Sequence, residues 1–237
     1  MSKSTRPAPT IRRAELADIP ELVQVVNAGY RGQGGWTTEA HLIAGDRITS
    51  DELHQVLTDK TSLENEPVLV ALMDNKIVGC VQPSRGDHDH PEADLPDAVE
   101  NRATATTHSN GHTGSDSLQA EITLSPSTEA AVVALVPESI QPNPPSPTSA
   151  MLGLFAVQPE YQSKGVGRAL TEAAFSLMRT EWGTQVCVIW VLETRTELLA
   201  WYEKLGFVWD GVRLRDFVWP DKLIKKSVRF RIMEKQL

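Results

Sequence analysis

Residues 162–169, which read Gln-Ser-Lys-Gly-Val-Gly-Arg-Ala, have the spacing of a phosphate-binding loop. Gly165 and Gly167 lack a Cβ atom, so the backbone can turn tightly there and bring several N–H groups to one point. The loop follows the apolar run 151–157 and opens an amphipathic segment that reaches about Arg179. Those N–H groups would therefore lie at a helix N-terminus, whose partial positive charge attracts anions. The sequence predicts a site for a pyrophosphate.

A second motif lies further along the chain. Residues 185–192 are rich in Val, Ile and Trp and predict a strand, and residues 195–205 predict a short helix. Gly206 follows that helix and suits the left-handed conformation of a C-cap. The helix carries the string Trp-Tyr-Glu-Lys-Leu-Gly-Phe at 201–207. Each motif therefore comes after a predicted apolar strand.

Together the two motifs resemble those of the GNAT superfamily of acetyl-CoA-dependent N-acetyltransferases, Gln/Arg-x-x-Gly-x-Gly/Ala followed by Tyr-x-Lys-x-Gly-Phe. The resemblance covers residues 10–82 and 150–237. It implies an α/β (α+β) fold with a mixed, mostly antiparallel central sheet, flanked by helices and splayed at the cofactor strand. It also implies an enzyme that transfers an acetyl group from acetyl-CoA, its cosubstrate, to a primary amine in a ternary complex, without a metal.

The resemblance assigns roles to individual residues. Tyr202 would donate a proton to the coenzyme A sulfur, and the strand at 155–157 would pair with the pantetheine arm and supply an oxyanion donor. Gln162 and residues 165–169 would offer backbone N–H groups to the pyrophosphate. Arg195 stands where the family commonly has Asn, and we expect it to meet a coenzyme phosphate. The other residues implied to bind the cofactor are Phe155, Ala156, Val157, Ser163, Lys164, Gly165, Val166, Gly167, Arg168 and Ala169.

The acetyl acceptor is predicted to bind between residues 30–41 and the loop after Arg213. The candidate acceptor-binding residues are Tyr30, Arg31, Trp36 and Glu39. The string Gly-Trp-Thr-Thr-Glu-Ala at 35–40 resembles a subgroup of microbial GNAT proteins whose acceptors are not obvious. An alternative is that Trp36 anchors the loop while the residues after it cap a helix or turn.

The sequence leaves the general base and the acceptor open. No carboxylate lies on 151–157, so the amine proton leaves through water or through Glu39, Glu121 or Glu193. A small-molecule amine is the leading acceptor, with a protein lysine or N-terminal amine as the alternative. A non-catalytic acetyl-CoA-binding module is a third reading, against which Tyr202 argues.

The net negative charge of the chain comes from one segment. Residues 83–150 hold ten acidic and two basic residues, a balance equal to the net charge of −8 for the whole chain. The remainder is neutral and has no dominant basic face, which argues against a nucleic-acid partner.

The domain organisation follows from the same segment. We predict a flexible N-terminus at 1–9 and a single N-acetyltransferase domain at 10–237, interrupted by an acidic low-complexity insertion at about 83–149. Residues 83–116 are predicted to be disordered, and strands at 118–124 and 131–136 are two candidates for the third core strand. The histidines in the insertion, at 88, 90, 108 and 112, are interpreted as part of this disorder, because metal ligands need supporting residues around them.

The chain is expected to be intracellular, in the cytoplasm with the nucleus left open. No apolar run reaches the roughly 18 to 20 residues that span a bilayer, and the first ten residues lack the apolar core of a signal peptide. A membrane partner is therefore not expected.

Cys80 and Cys187 sit in predicted strands and are expected to be reduced and buried. A homodimer is left open.

Local signals place the remaining elements. Asp18 is predicted to cap a helix, Thr49 and Glu52 form a capping box, and Asp74-Asn75 suits a hairpin turn between strands at 68–73 and 76–82. Residues 207–211 predict a strand and 213–226 a loop that closes one side of a cleft. Arg and apolar residues alternate in 228–233, which predicts a terminal edge strand.

Overall fold

The computed structural model describes residues 8–86, 148–217, 220–224 and 228–237. Seven strands and five α-helices occur in these ranges. The strands are β1 (Thr10–Arg13), β2 (Leu69–Met73), β3 (Lys76–Arg85), β4 (Ser149–Val157), β5 (Val186–Leu192), β6 (Val208–Asp216) and β7 (Arg229–Gln236). The helices are α1 (Ile19–Arg31), α2 (Ser50–Thr58), α3 (Lys60–Asn65), α4 (Val166–Trp182) and α5 (Thr196–Lys204).

The strands form one mixed sheet in the order β1-β2-β3-β4-β5-β7-β6. Every neighbouring pair is antiparallel except β4 and β5, which run parallel. That parallel pairing joins only Ser149–Met151 to Val186–Val188. Because both strands continue well beyond this point, they diverge and leave one edge of β4 open. The mostly antiparallel sheet and its splay at β4 are confirmed.

Two hydrophobic clusters cover the two faces of the sheet. One gathers around α4, with Leu170 and Met178 at its centre, and the other lies beneath α1 and α2, with Leu22 and Leu53. Residues of β2 alternate between the two clusters, as side chains of a strand must. The sheet is therefore buried on both sides where the site lies.

Two of the three short-range signals, the hairpin turn and the capping box, act as the sequence predicts. Asp74 and Asn75 have φ angles of 51° and 60°, the left-handed values that a tight hairpin turn requires. Thr49 and Glu52 form a reciprocal capping box ahead of α2. Asp18 stands at the N-cap of α1, but its carboxylate caps no helical N–H. Instead it accepts hydrogen bonds from Arg12 and from the backbone of Glu15.

The prediction of β7 as an edge strand is wrong. β7 lies between β5 and β6, so β6 is the edge, and residues 213–216, predicted as loop, belong to β6. Alternation shows that one face of a strand is more polar, but it does not show how many neighbours the strand has. The polar face of β7 is in fact packed, because the Arg231 guanidinium stacks 4.3 Å from the Trp209 ring centroid.

The predicted insertion boundary at about 83–149 also needs correction. β3 continues through Pro83 to Arg85, and β4 already begins at Ser149. Pro83 is tolerated in a strand here because β2 ends its pairing at Val81, so β3 has only one neighbour beyond it. The third strand along the chain is β3, which pairs directly with β4. The candidates at 118–124 and 131–136, the predicted disorder beyond residue 86 and the four histidines lie outside the described residues.

Both cysteines are buried in strands, as predicted. Burial raises the pKa of Cys80 to about 12 and raises that of Cys187 as well. Both thiols are therefore protonated near neutral pH. In the described ranges, none of the helices has the length and apolar character that crossing a membrane requires.

Candidate active site

The divergence of β4 and β5 opens a cavity of about 360 Å³. Its walls come from β4, the end of α1, the loop after α1, the start of α4, and α5. Most of the predicted site residues line it: Tyr30, Arg31, Trp36, Glu39, Phe155, Ala156, Val157, Gln162, Ser163, Gly165, Gly167, Arg168, Arg195 and Tyr202. Lys164, Val166 and Ala169 do not. The structure thus brings together residues that are far apart in the sequence.

The predicted phosphate loop ends at the N-terminus of α4. Gly165 is the N-cap residue and has a φ of 86°, a left-handed value that favours glycine. The N–H groups of Val166, Gly167 and Arg168 are in the first turn, where a helix offers no internal partner. Arg168 lies at the surface and pairs with Glu172 at 2.9 Å. This helix start can hold an anion.

Two of the predicted backbone donors are already engaged within the chain. The N–H of Gln162 donates to the carbonyl of Pro159 at 3.3 Å, and that of Ala169 donates to the carbonyl of Gly165 at 3.0 Å. The first bond closes a short 3₁₀ turn and the second is the first hydrogen bond of α4. The donors available for a pyrophosphate are therefore those between these two residues.

The side chain of Gln162 makes two hydrogen bonds that the sequence analysis did not predict. Its Oε1 accepts a hydrogen bond from the backbone N–H of Trp36 at 2.9 Å, and its Nε2 donates to the carbonyl of Val157 at 3.0 Å. Gln162 thereby joins the loop after α1 to the end of β4. Trp36 is itself 45% exposed, so the loop is anchored through its backbone.

Strand β4 carries a bulge at the splay. Its register with β3 shifts between Cys80 and Gln82, and Leu154 has a φ of 40°. Beyond the bulge, Phe155 turns its backbone N–H toward α1 and donates to the hydroxyl of Tyr30 at 3.1 Å. An open strand edge that lines a cavity can pair with an extended, amide-bearing ligand.

Tyr202 projects from α5 into the same cavity and is only 6% exposed. Its ring packs edge-on against Phe207 and Trp201, with centroids 5.5 and 4.9 Å away. Burial raises the pKa of Tyr202, so the phenol stays protonated and can donate its proton.

Buried charges form the wall between α1 and α5. Glu39 accepts a hydrogen bond from Arg31, and its second oxygen lies 3.6 Å from Nη1 of Arg195. Arg195 also donates to the hydroxyl of Thr37 and to Glu197, at 3.0 and 3.1 Å. The positive charge of Arg195, which we expected at a coenzyme phosphate, is thus opposed by two carboxylates. Thr37 and Glu197 were not predicted as members of this wall.

Of the three general-base candidates from the sequence, the two in the described ranges are already paired with guanidinium groups. Both oxygens of Glu39 face guanidinium groups. Glu193 does not line the cavity, and its carboxylate lies 3.3 Å from the guanidinium of Arg229. Glu121 lies outside the described residues. Asp46, Arg47 and Glu52 line the cavity without having been predicted. Only knowledge that α1 and α2 flank β4 would have found them.

The family model for the Acetyltransferase (GNAT) family matches residues 36–207. Solved structures with the same fold include the PaiA N-acetyltransferase of Thermoplasma acidophilum in complex with coenzyme A, at 17% identity and a TM-score of 0.56 over 98% of this chain and 100% of that chain. Another is YncA, a putative acetyltransferase of Salmonella typhimurium with its cofactor acetyl-CoA, at 17% identity and a TM-score of 0.54 over 98% and 95%. A third is the ribosomal-protein-alanine N-acetyltransferase of Brucella melitensis, at 17% identity and a TM-score of 0.55 over 96% and 99%.

No curated protein is similar enough in sequence to match the chain. The fold and the site define an acyltransferase built around a splayed sheet. The chain belongs to the GNAT family of acetyltransferases and is an N-acetyltransferase that uses acetyl-CoA.

Proposed function

We propose that this enzyme acetylates the primary amine of a small molecule. The observation that carries the proposal is a backbone connection across the acceptor side of the cavity. Ile43 forms an isolated β-bridge with Leu223, and Ala44 and Ile224 complete it with hydrogen bonds of 2.8 Å to Lys222 and Leu42. This bridge links the loop after α1 to the segment before β7.

The bridge supports a pocket rather than a groove. A protein acceptor would need an open channel in which an extended peptide can lie, whereas the two joined segments would cross such a path. Phe217 and Lys222 from the second segment also line the cavity. The volume of about 360 Å³ is that of the whole cavity, cosubstrate side included, so the part left for the acceptor is small.

The phosphate loop and the start of α4, residues 162–168, form a cradle that fits coenzyme A. The helix start at Gly165 to Arg168 would bind the pyrophosphate, and the open edge of β4 at 155–157 would pair with the pantetheine amides. Lys164, which stacks 5.0 Å from the Tyr161 ring centroid, and Arg168 would add positive charge at the surface end.

Tyr202 would complete the transfer. As the amine nitrogen bonds to the thioester carbon and the carbon–sulfur bond breaks, Tyr202 donates its proton to the departing sulfur. The amine gives up its proton to a carboxylate of the cavity or to water, and a proton returned from there restores Tyr202, so the products are the acetamide and the free thiol. Positioning the two reactants in one cavity accounts for much of the rate, and the proton donor contributes further.

Asp46 is our candidate for the group that receives the amine proton. Among the described carboxylates of the cavity, Glu39 faces two guanidinium groups and Glu52 accepts from Thr49 at 2.6 and 2.9 Å. Asp46 has neither kind of partner in the described ranges and is exposed to the cavity. Asp46→Asn should lower turnover without changing acetyl-CoA affinity. Asp51→Asn, on the first turn of α2, should leave both turnover and acetyl-CoA affinity unchanged.

The test is a thiol-release screen with acetyl-CoA and a panel of amines, run beside calorimetric titration of acetyl-CoA. The panel contains small amines, free amino acids, and peptides with a lysine or a free N-terminus. Saturable thiol release with a small amine supports the proposal. Release with peptides alone contradicts the small-molecule acceptor, and binding without release for any amine contradicts catalysis.

A further inference from the structure

Gly153 lies in the middle of β4, just before the bulge at Leu154, and it lines the cavity. Glycine weakens the interior of a strand, because it has no side chain to pack and loses more conformational freedom on folding than any other residue. A glycine in such a place commonly marks a bulge or the close approach of another backbone or of a ligand. The structure distinguishes these reasons.

The fold does not require glycine at position 153. Its φ angle is not in the left-handed region, and the residue of the bulge that adopts a left-handed value is Leu154, at 40°. Apart from the adjoining residues, the described ranges place one heavy atom within 4 Å of a Cβ at Gly153, the carbonyl oxygen of Gln82 at 3.6 Å, which is an ordinary van der Waals distance. Gly79 on β3 differs, because a Cβ there would lie 2.9 Å from the carbonyl oxygen of Ala156. Packing therefore accounts for Gly79 but not for Gly153.

The space left at Gly153 is on the acceptor side of the sheet. Side chains alternate along a strand, and Leu152 belongs to the cluster around α4, so position 153 faces the side of α1. On β5, Val191 belongs to the cluster around α4, so Trp190 faces the side of α1 as well. Gly153 and Trp190 each lie two positions beyond the last pair that joins β4 to β5. They therefore occupy matching positions on the two sides of the divergence.

Trp190 belongs to an aromatic wall that also contains Phe217 and Phe230, and all three residues line the cavity. The ring centroids of Trp190 and Phe230 are 6.1 Å apart, and Phe217 stacks on Phe230 at 5.5 Å. Phe217 packs in one cluster with Ile43, which forms the β-bridge of the acceptor side. The guanidinium of Arg215 stacks 4.0 Å from the indole centroid of Trp190 and supports the ring. The aromatic wall is thus an apolar surface beside Gly153.

We propose that Gly153 determines the acceptor, because the space left by its missing side chain beside Trp190 is a slot for an aromatic ring that bears the primary amine on a short chain. A flat ring fits such a space and gains from contact with other aromatic rings. Phe155, at the start of the open edge, is two positions further along β4, so a short chain can bring the amine to the thioester. This inference rests on the proposed function and narrows its acceptor to an arylalkylamine.

The test compares 2-phenylethylamine, 2-cyclohexylethylamine and n-propylamine in the thiol-release assay. The first two share the chain and the ring size but differ in flatness and π character, and the third has no ring. The wild type should show a kcat/KM about 2-fold to 10-fold higher for 2-phenylethylamine than for 2-cyclohexylethylamine, the range that an aromatic contact adds beyond its buried area. Equal values, or a higher value for 2-cyclohexylethylamine, would overturn the inference.

Gly153→Ala adds one methyl group to the slot. It should lower kcat/KM for 2-phenylethylamine by about 10-fold or more and leave that for n-propylamine nearly unchanged. Gly153→Val should lower the value for 2-phenylethylamine further. Thermal unfolding should show no loss of stability in Gly153→Ala, since alanine restricts the unfolded chain more than glycine does. If the two amines lose equally in Gly153→Ala, the slot is refuted, and this variant decides the matter if Gly153→Val does not fold.

Trp209→Leu is the matched control for Trp190→Leu. Each indole carries a stacked guanidinium, at 4.0 Å for Trp190 and 4.3 Å for Trp209, but Trp209 does not line the cavity. Trp190→Leu should abolish the preference for 2-phenylethylamine over 2-cyclohexylethylamine, and Trp209→Leu should keep it. A preference that both variants lose, or that both keep, is incompatible with the slot.

A binding measurement separates this inference from the proposed function. Calorimetry titrates 2-phenylethylamine into the protein saturated with coenzyme A, which carries no acetyl group, so that no transfer occurs. Binding that Gly153→Ala weakens supports the slot, even where thiol release fails and the proposed function fails with it. Release with n-propylamine, while 2-phenylethylamine neither binds nor reacts, leaves the proposed function in place and overturns the inference. Neither binding nor release with any amine overturns both.

Discussion

The side chain of Gln162 accepts a hydrogen bond from the backbone N–H of Trp36 at 2.9 Å, which ties the loop after α1 to the phosphate loop. Gly35 lies so close that a Cβ there would come within 2.9 Å of the Gln162 amide. The acceptor side and the cosubstrate side of the cavity thus share one side chain. Order in one is expected to depend on order in the other.

Gln162→Ala should make the loop after α1, on the acceptor side, more mobile than the cradle. The change leaves the Trp36 N–H and the Val157 carbonyl without their partner, at a cost of about 1 to 2 kcal/mol in unfolding free energy. We expect the KM for the amine to rise several-fold, while calorimetry shows a smaller change in the dissociation constant of acetyl-CoA. Equal effects on both ligands would contradict a role in the loop.

Gly165→Val tests the cradle, and Gly183→Val is its matched control. Both glycines flank α4 at left-handed φ angles of 86° and 64°, and an added Cβ meets nothing within 4 Å at either position. Each change should therefore cost a similar amount of stability, about 1 to 3 kcal/mol. Only Gly165→Val should weaken acetyl-CoA binding in calorimetric titration. Equal affinities in the two variants would place the pyrophosphate elsewhere.

Tyr202→Phe removes the proposed proton donor and leaves the packing against Phe207 intact. Acetyl-CoA affinity should be unchanged, and kcat in the thiol-release assay should fall by at least about 100-fold. Because burial raises the pKa of Tyr202, its loss of a proton should not limit the wild-type rate at moderately alkaline pH. Tyr161→Phe serves as control, and a kcat unaltered by Tyr202→Phe would assign the proton to another group.

Glu39→Gln should destabilise the fold strongly. Arg31 and Arg195 are only 13% and 8% exposed, so removing the charge between them leaves buried cations poorly compensated. We expect a loss of about 3 kcal/mol in urea denaturation. Glu181→Gln breaks a pair with Arg13 in which both side chains are 50% exposed, and should cost less than about 1 kcal/mol. Similar losses in the two variants would contradict a structural role for the buried wall.

Asp18→Asn should alter the pH dependence of stability. The two nitrogens of Arg12 donate to the carboxylate of Asp18 at 2.6 and 2.8 Å and hold the pKa of Asp18 below its ordinary value of 3.8. A lowered pKa in the folded state stabilises the protein above the unfolded-state value, and this contribution is lost as pH falls through the folded value. Urea denaturation should therefore show wild type above Asp18→Asn by about 1 kcal/mol near neutral pH. The gap should close at acidic pH below 3.8, and a constant gap would contradict this pairing.

Local backbone signals in the sequence predicted much of the fold. The turn at Asp74-Asn75, the capping box of Thr49 and the glycine at the start of α4 depend only on neighbouring residues, and each is confirmed. The place of β7 inside the sheet was mispredicted because strand order depends on which distant segments pair. The wall around Glu39 was missed for the same reason, since Glu39 and Arg195 are far apart in the sequence.

Most of the residues that the family motifs name do line one cavity, but the motifs did not predict the hydrogen bonds of those residues. Gln162 lines the cavity, yet its backbone N–H is already bonded to Pro159. The hydrogen bond between Tyr30 and Phe155 was not foreseen, because nothing in either residue's neighbours indicates that α1 crosses β4 at the bulge. Side-chain partners across a sheet become visible only when the layers are assembled.

The hairpin formed by β3 and β4 closes on the pairs Ser84 with Met151 and Arg85 with Ala150. The chain therefore leaves the sheet after residue 86 and returns at 148 at nearly the same point, about 13 Å or more along β4 from Phe155. The positions at which the chain leaves and rejoins the sheet are therefore set by the antiparallel register of β3 and β4, on the far side of the bulge from the open edge that lines the cavity.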